Sequence, residues 1–426
     1  MSDFNRRKFI QICGSGLALA ALPFSLNAAA GARVVVIGGG FAGATAAKYL
    51  RLLGGNISVT LVDPAAAHIS CIGSNLVLTG ESALSSLTRP LATLRDKFGV
   101  QLVSGRAVRV DPGLHRVHLA SGATLDYEHV IIAPGIDFER VPGLNFNVMP
   151  HAWIAGAQTT LLKNQLNAMP NGGTFVITIP KTPFRAHTGP YERATVVADF
   201  FLRTKPASKI LILDANPDIA AMRRTFSTAF TGIYRNIVQY LPNVTVNSAD
   251  AANMSLNITR GGVTSIVRGS VINVIPPQRA GRLLFDSGLV PSGSKFAPVN
   301  PLNYESTQIP AANIHILGDS QATGQAKSGH MANSQAKVCV DAILRALVGL
   351  APDPAPKTTA AAFPPITRTT ASWTSTTYAF APPSGLATIG TMVAVPGTPA
   401  EAPTPTEDIR EEMAGWLGNL LSDSFA

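Results

Sequence analysis

Three glycines, an aspartate and a cysteine in the first part of the chain carry its clearest chemistry. Gly38, Gly40 and Gly43 stand in G-x-G-x-x-G spacing, Asp63 follows 20 residues after Gly43, and Cys71 comes eight residues later. Gly38 permits a tight turn, Gly40 lets the backbone approach a pyrophosphate, and Gly43 lets a helix pack closely on a strand. A helix starting there turns unpaired N–H groups and its positive dipole end towards a phosphate. Asp63 can accept hydrogen bonds from a ribose 2′-OH, and would repel a 2′-phosphate. Together these residues describe a dinucleotide site.

The elements that must hold them are written around them. Val34–Ile37 is a buried apolar strand, Ala44–Leu53 a helix, and Ile57–Val62 a second strand that ends at Asp63, which is βαβ order. Cys71 lies in Ile69-Ser-Cys-Ile-Gly-Ser-Asn75, a segment that in such a fold can run beside a flavin ring. Leu84–Phe98 reads as a helix, and Val100–Ser104, Ala107–Val110 and Arg116–Leu119 read as strands. The run from Asp126 enters a turn at Ala133-Pro-Gly135. In two-dinucleotide flavoproteins this signal closes the first FAD segment.

A second βαβ unit is expected from Thr174–Ile179, Tyr191–Leu202 and Ile210–Leu213, ending at Asp214. Its turn, Pro180 to Arg193, has no G-x-G-x-x-G. Prolines stand where a pyrophosphate needs free N–H groups, so no nicotinamide dinucleotide is expected there. Ser270–Pro277 reads as a strand returning to the first domain. Ile314-His-Ile-Leu-Gly-Asp319 is a strand followed by Gly318 and Asp319, whose carboxylate would meet ribitol hydroxyls. Ser328–Leu347 reads as a helix whose N-terminus would face the flavin pyrimidine. Ala351–Pro365 and Pro396–Thr406 read as linkers or surface loops, with strands at Ser372–Phe380 and Ala387–Val395 and a final amphipathic helix, Glu407–Leu421.

Bulk composition bounds the class. The chain has 426 residues, 46% hydrophobic and 14% charged, with net charge +9. That length exceeds one ordinary core, and no Lys/Arg cluster suggests nucleic acid. The cysteines are Cys13, Cys71 and Cys339. No C-x-x-C or C-x-x-C-H occurs, so no c-type haem attaches to this chain, and no metal ligands are assigned. Residues 1–30 read as a leader. Asn5-Arg-Arg-Lys-Phe-Ile10 resembles the twin-arginine signal, the apolar stretch after it is broken by Gly14, Gly16 and Pro23, and Ala28-Ala-Ala30 closes it. This predicts export of a folded protein to the periplasm, with no permanent membrane span.

On these motifs the chain resembles the flavoprotein subunit of flavocytochrome c sulfide dehydrogenase, within the pyridine nucleotide-disulfide oxidoreductase superfamily. The carriers are Val34–Lys48, Ser70–Asn75, Ala133–Asp137, Pro150–Trp153, Gly189–Ala194, Val274–Gly281, Gly318-Asp319 and Ala332–Lys337. The resemblance implies an α/β fold with two Rossmann-like domains and a smaller C-terminal domain. The expected boundaries are 31–143 and 271–348 for the FAD domain, 144–270 for the second Rossmann-like domain, and 349–426 for the last. It also implies an FAD enzyme that passes electrons from sulfide, or another small donor, to a small c-type cytochrome on a separate chain. Cys71 matches the position where this family can tether FAD through a thioether.

The chain departs from the family at the chemistry. The redox-active cysteine pair reads here as Ala186 and Thr377. Glu192 and His187 are the nearest candidates for proton handling. With the pair missing, sulfide as substrate is in question, and the alternative reading is a non-catalytic flavoprotein partner of a cytochrome or sulfur-oxidation complex. Cys339 reads as core.

Overall fold

A computed structural model describes residues 31–385 and 387–426. The expected leader, with Cys13, lies outside the described residues. At the centre is β1 (Arg33–Ile37), followed by α1 (Phe41–Leu53) and β2 (Ser58–Asp63), with β1 and β2 parallel. A short helix, α2 (Ser74–Leu78), comes just after Cys71. β3 (Gln101–Ser104) adds beyond β2, and β4 (His129–Ile132) adds to the other side of β1, both parallel. Val34–Ile37 and His129–Ile132 are buried throughout, as expected for parallel strands covered on both faces.

The second sheet is built from β5 (Thr174–Ile179), α3 (Gly189–Thr204), β6 (Lys209–Asp214), β7 (Val238–Leu241) and β8 (Val271–Val274). Its order is β7-β6-β5-β8, all parallel. The chain then returns to the first sheet, where β9 (Ile314–Ile316) pairs in parallel with β4. α4 (Gly329–Ala346) follows and packs on α1. The Ser328 side chain caps it by accepting from the Met331 N–H at 3.2 Å. An antiparallel sheet, β10 (Lys357–Ala362), β11 (Thr374–Ala381) and β12 (Thr391–Ala394), precedes the last helix, α5 (Glu407–Phe425). The expected α/β class with two Rossmann-like units and a smaller C-terminal sheet is observed.

Three expected elements differ. Leu84–Phe98 is not one helix. It divides into Leu84–Leu87, an extended Thr88–Pro90 that pairs with Ala67–Ile69, and Ala92–Phe98. Pro90 has no N–H to give a helix and pushes Arg89 out of helical conformation. Ser270–Pro277 does not carry the return. Its strand, β8, completes the second sheet beside β5, so that unit runs past residue 270. The return is made by Gln278–Ala280, antiparallel to Ile136–Phe138. Ala351–Pro365 is not merely a linker, because it contains β10, in which Thr358 is buried. Among the described residues no helix is long and apolar enough to cross a membrane.

Candidate active site

The glycine turn forms as its spacing predicts. Gly38 has φ +101°, and a Cβ there would lie 2.3 Å from the Ala133 carbonyl oxygen. A Cβ on Gly43 would lie 1.8 Å from the Gly38 carbonyl oxygen. No side chain fits at either place, so the turn requires glycine. Gly40 is the N-cap of α1, and a Cβ built on it would meet nothing nearer than His68 Cε1 at 3.9 Å. That open side is where a pyrophosphate can come close to the helix N-terminus. Asp63 is engaged with this turn: Oδ2 accepts from the Gly39 N–H at 2.6 Å and Oδ1 from the Ala65 N–H at 2.7 Å. Each oxygen keeps a second lone pair for a ribose hydroxyl.

On the other side of the first sheet, Ala133 and Gly135 end β4, and Gly318 and Asp319 follow β9. Asp319 Oδ1 is buried with no hydrogen-bond partner, an acceptor suited to a ribitol hydroxyl. Burial pushes the Asp319 carboxyl up, while Arg185 and Lys327 pull it down. The Lys327 ammonium donates to the carbonyls of Asp319 at 2.9 Å and Gln321 at 2.6 Å, and sits 3.8 Å from the Phe296 ring centroid. Burial lowers the Lys327 ammonium to about 8. An orphaned acceptor, a glycine turn no side chain could enter and a capped helix N-terminus are features that fit FAD.

Past this cradle lies a cavity of about 390 Å³, of the size that holds organic ligands. Its walls include Cys71, His187, Glu192, Lys327, Tyr378 and Trp416. Three parts of the fold therefore meet here. Cys71 is a free, partly exposed thiol. Cys339 is a free, fully buried thiol in α4, pushed up by burial, and does not line the cavity.

Glu192 sits in the first turn of α3. Its Oε1 accepts from Asn75 Nδ2 at 2.9 Å. Among the described residues no donor reaches Oε2. Burial pushes the carboxyl up to about 7, against the opposing pull of Asn75, Arg193 and Arg410. A carboxyl in that range can hold or release a proton near neutral pH. His187 also reaches the cavity, but its Nε2 is sealed without a partner and its ring is 4.9 Å from Phe184. Burial, reinforced by Lys327, lowers its pKa, so it is the neutral member of the pair.

Ala186 lines the cavity with φ +57°, held by its N–H donating to the Lys327 carbonyl at 2.7 Å. Thr377 does not line it. Strand alternation turns Thr374, Thr376 and Tyr378 to the cavity, while Thr377 Oγ1 lies 3.3 Å from Thr359 Oγ1. The site also depends on Asn75, Lys327, Tyr378 and Trp416, to which the sequence reading gave no site role. Asn75 ends the Ser70–Asn75 motif, but no local pattern shows what any of the four does, because their neighbours come from other elements.

In the second unit, Asp214 is buried and already satisfied. Oδ2 accepts from Tyr191 at 2.6 Å and Tyr240 at 3.0 Å, and Oδ1 from the Asn216 backbone at 2.8 Å and side chain at 2.7 Å. Asn216 also fixes the proline-rich turn through Pro180 and Thr182.

Comparison with known proteins agrees with this geometry. Residues 159–276 match the family described as sulfide dehydrogenase [flavocytochrome c] flavoprotein chain, central, and residues 32–165 match pyridine nucleotide-disulphide oxidoreductase. Over 45 residues the chain is 62% identical to the sulfide dehydrogenase [flavocytochrome c] flavoprotein chain of Chlorobaculum thiosulfatiphilum, covering 11% of this chain and 94% of that sequence. It is 24% identical over 296 residues to the mitochondrial sulfide:quinone oxidoreductase of Mus musculus, covering 67% of this chain and 65% of that relative, just under two thirds of its length. In fold it is similar to the sulfide:quinone oxidoreductase structure from Aquifex aeolicus, with TM-score 0.72, 18% identity, and coverage of 92% of this chain and 91% of that one.

Proposed function

We propose that this chain, which belongs to the pyridine nucleotide-disulphide oxidoreductase flavoproteins, is the flavoprotein component of an exported, periplasmic dehydrogenase that delivers electrons to a c-type cytochrome on a separate chain. FAD is its cofactor. When bound, it accepts an electron pair from a donor and releases it stepwise to a one-electron acceptor. Gly38, Gly40, Gly43 and Asp63 would hold the adenosine and pyrophosphate end. Ala133, Gly135, Gly318 and Asp319 would hold the ribitol end, and the N-terminus of α4 the pyrimidine. Cys71, a free thiol on the cavity wall, would tether FAD.

The donor is a reduced sulfur compound or another small reductant, bound in the cavity. The observation that carries this reading is the meeting of Cys71, Glu192 and the N-terminus of α4 around one cavity. Glu192 holds or takes the proton that accompanies electron transfer, and neutral His187 shapes the wall beside it. Alanine in place of a cysteine at position 186 favours one second reading, a flavoprotein that keeps the fold to partner a cytochrome or sulfur-oxidation complex without turnover.

The test is anaerobic addition of sulfide to the exported holoprotein with cytochrome c present. Rapid flavin bleaching followed by haem reduction supports sulfide oxidation without the cysteine pair. A flavin that dithionite reduces but sulfide and a panel of small donors do not would support the non-catalytic reading.

A further inference from the structure

We infer that Asn75 is a positioning residue for Glu192: one face of its amide holds the carboxyl against the cavity while Arg193 grips the other. The two faces are distinguished by their partners. Asn75 Nδ2 donates to Glu192 Oε1 at 2.9 Å and to the Gly189 carbonyl at 3.1 Å, while Asn75 Oδ1 accepts from Arg193 Nε at 2.9 Å. An amide held as donor on one side and acceptor on the other has one orientation.

Arg193 is 2% exposed and is satisfied by neutral acceptors. Besides Asn75 it donates to the carbonyls of His151 at 3.1 Å and Ala152 at 2.6 Å, and to Asn273 Oδ1 at 2.7 Å. It also lies over Trp153, 5.1 Å from the ring centroid. A buried cation is costly unless a negative charge is near. The carboxyl across Asn75 is that partner. The pull of Arg193 on Oδ1 polarises the amide and strengthens donation from Nδ2. The cation therefore acts on Glu192 through a neutral group, which lets the carboxyl lose its proton without pairing directly with Arg193 and turning from the cavity.

The other charged groups around Glu192 are few. Arg410 on α5 faces it but is paired with Glu81 at 2.9 Å. Arg185 and His187 from the proline-rich turn, Lys327 before α4, Cys71, and Tyr378 and Glu401 from the C-terminal sheet line the same cavity. None is a hydrogen-bond partner of the carboxyl among the described residues. Asn75 is thus its sole side-chain donor there.

The inference rests on reading Glu192 as the proton carrier, and its test needs no donor and no turnover. The flavin midpoint potential of the holoprotein is measured against pH. Wild type is expected to change slope near neutral pH, and Glu192→Gln to lose that change. Asn75→Leu deletes the donor at similar volume and is expected to move the break up by about one pH unit. Asn75→Asp, nearly isosteric, places a like charge beside Glu192 while keeping Arg193 paired, and is expected to move it up further. A break that stays in place in both Asn75 variants, one that persists in Glu192→Gln, or loss of flavin from both Asn75 variants would overturn the assignment. Turnover on any donor could fail without touching these outcomes.

Discussion

The Gly39 backbone N–H donates to Asp63 Oδ2 at 2.6 Å across 24 positions of sequence. The acid at the end of β2 therefore shapes the glycine turn. That turn tolerates no added atom where Gly43 meets Gly38. Gly43→Ala is expected to push the turn apart and purify with well under half the wild-type ratio of flavin to protein absorbance. Wild-type flavin content in this variant would refute the cradle.

Glu192 links stability to pH. Its folded pKa, about 7, stands above the unfolded value of about 4.3, so the folded protein binds the proton more tightly. The contribution is fully present below the unfolded value and is lost as pH rises through the folded one. Glu192→Gln has no proton to lose. Relative to wild type it should gain about 2 kcal/mol between about pH 5 and pH 8, read from urea unfolding at the two pH values. An equal difference at both would show that the carboxyl is not held protonated.

The satisfied Asp214 leaves no free acid at the end of β6 for a nucleotide ribose. Anaerobic NADH at millimolar concentration is expected to leave the flavin oxidised over minutes in a stopped-flow trace. Removing the acid should be costly: Asp214→Ala orphans the Tyr191, Tyr240 and Asn216 donors, a loss of about 3 kcal/mol measurable by denaturant unfolding.

Phe425 is buried against Phe41, 5.4 Å between ring centroids, and stacks on His68 at 5.1 Å. Phe41 opens α1, so the end of α5 supports the helix that follows the glycine turn. Phe425→Ala should cost about 3–5 kcal/mol, read from denaturant unfolding of the holoprotein.

Much of the FAD cradle is legible in the sequence because it is local. Val34–Asp63 and Ile314–Asp319 carry strand, turn and acid within short windows, and each formed where its pattern lies. Pro90 breaks the helix expected over Leu84–Phe98, a stretch rich in polar positions. β10 was hidden because Lys-Thr-Thr-Ala-Ala-Ala has no alternation, and its burial comes from α4 and β11. Asn75 stands out in the sequence only as the end of the Ser70–Asn75 motif. Its work depends on Glu192 and Arg193, more than 110 residues away, and no window holds both ends.

The anchoring of α5 has a consequence for biosynthesis. Lys48 on α1 donates to the carbonyls of Ser422, Asp423 and Ala426, and Asp423 accepts from Tyr49, Asn333 and Lys337. The helix that walls the cavity thus closes over α1, the first helix among the described residues. Residues near 41 wait, half-dressed, for residues near 425 to be synthesised, and contacts of such long range form late. A nascent chain cannot complete this cavity until α5 has been made and docked on α1.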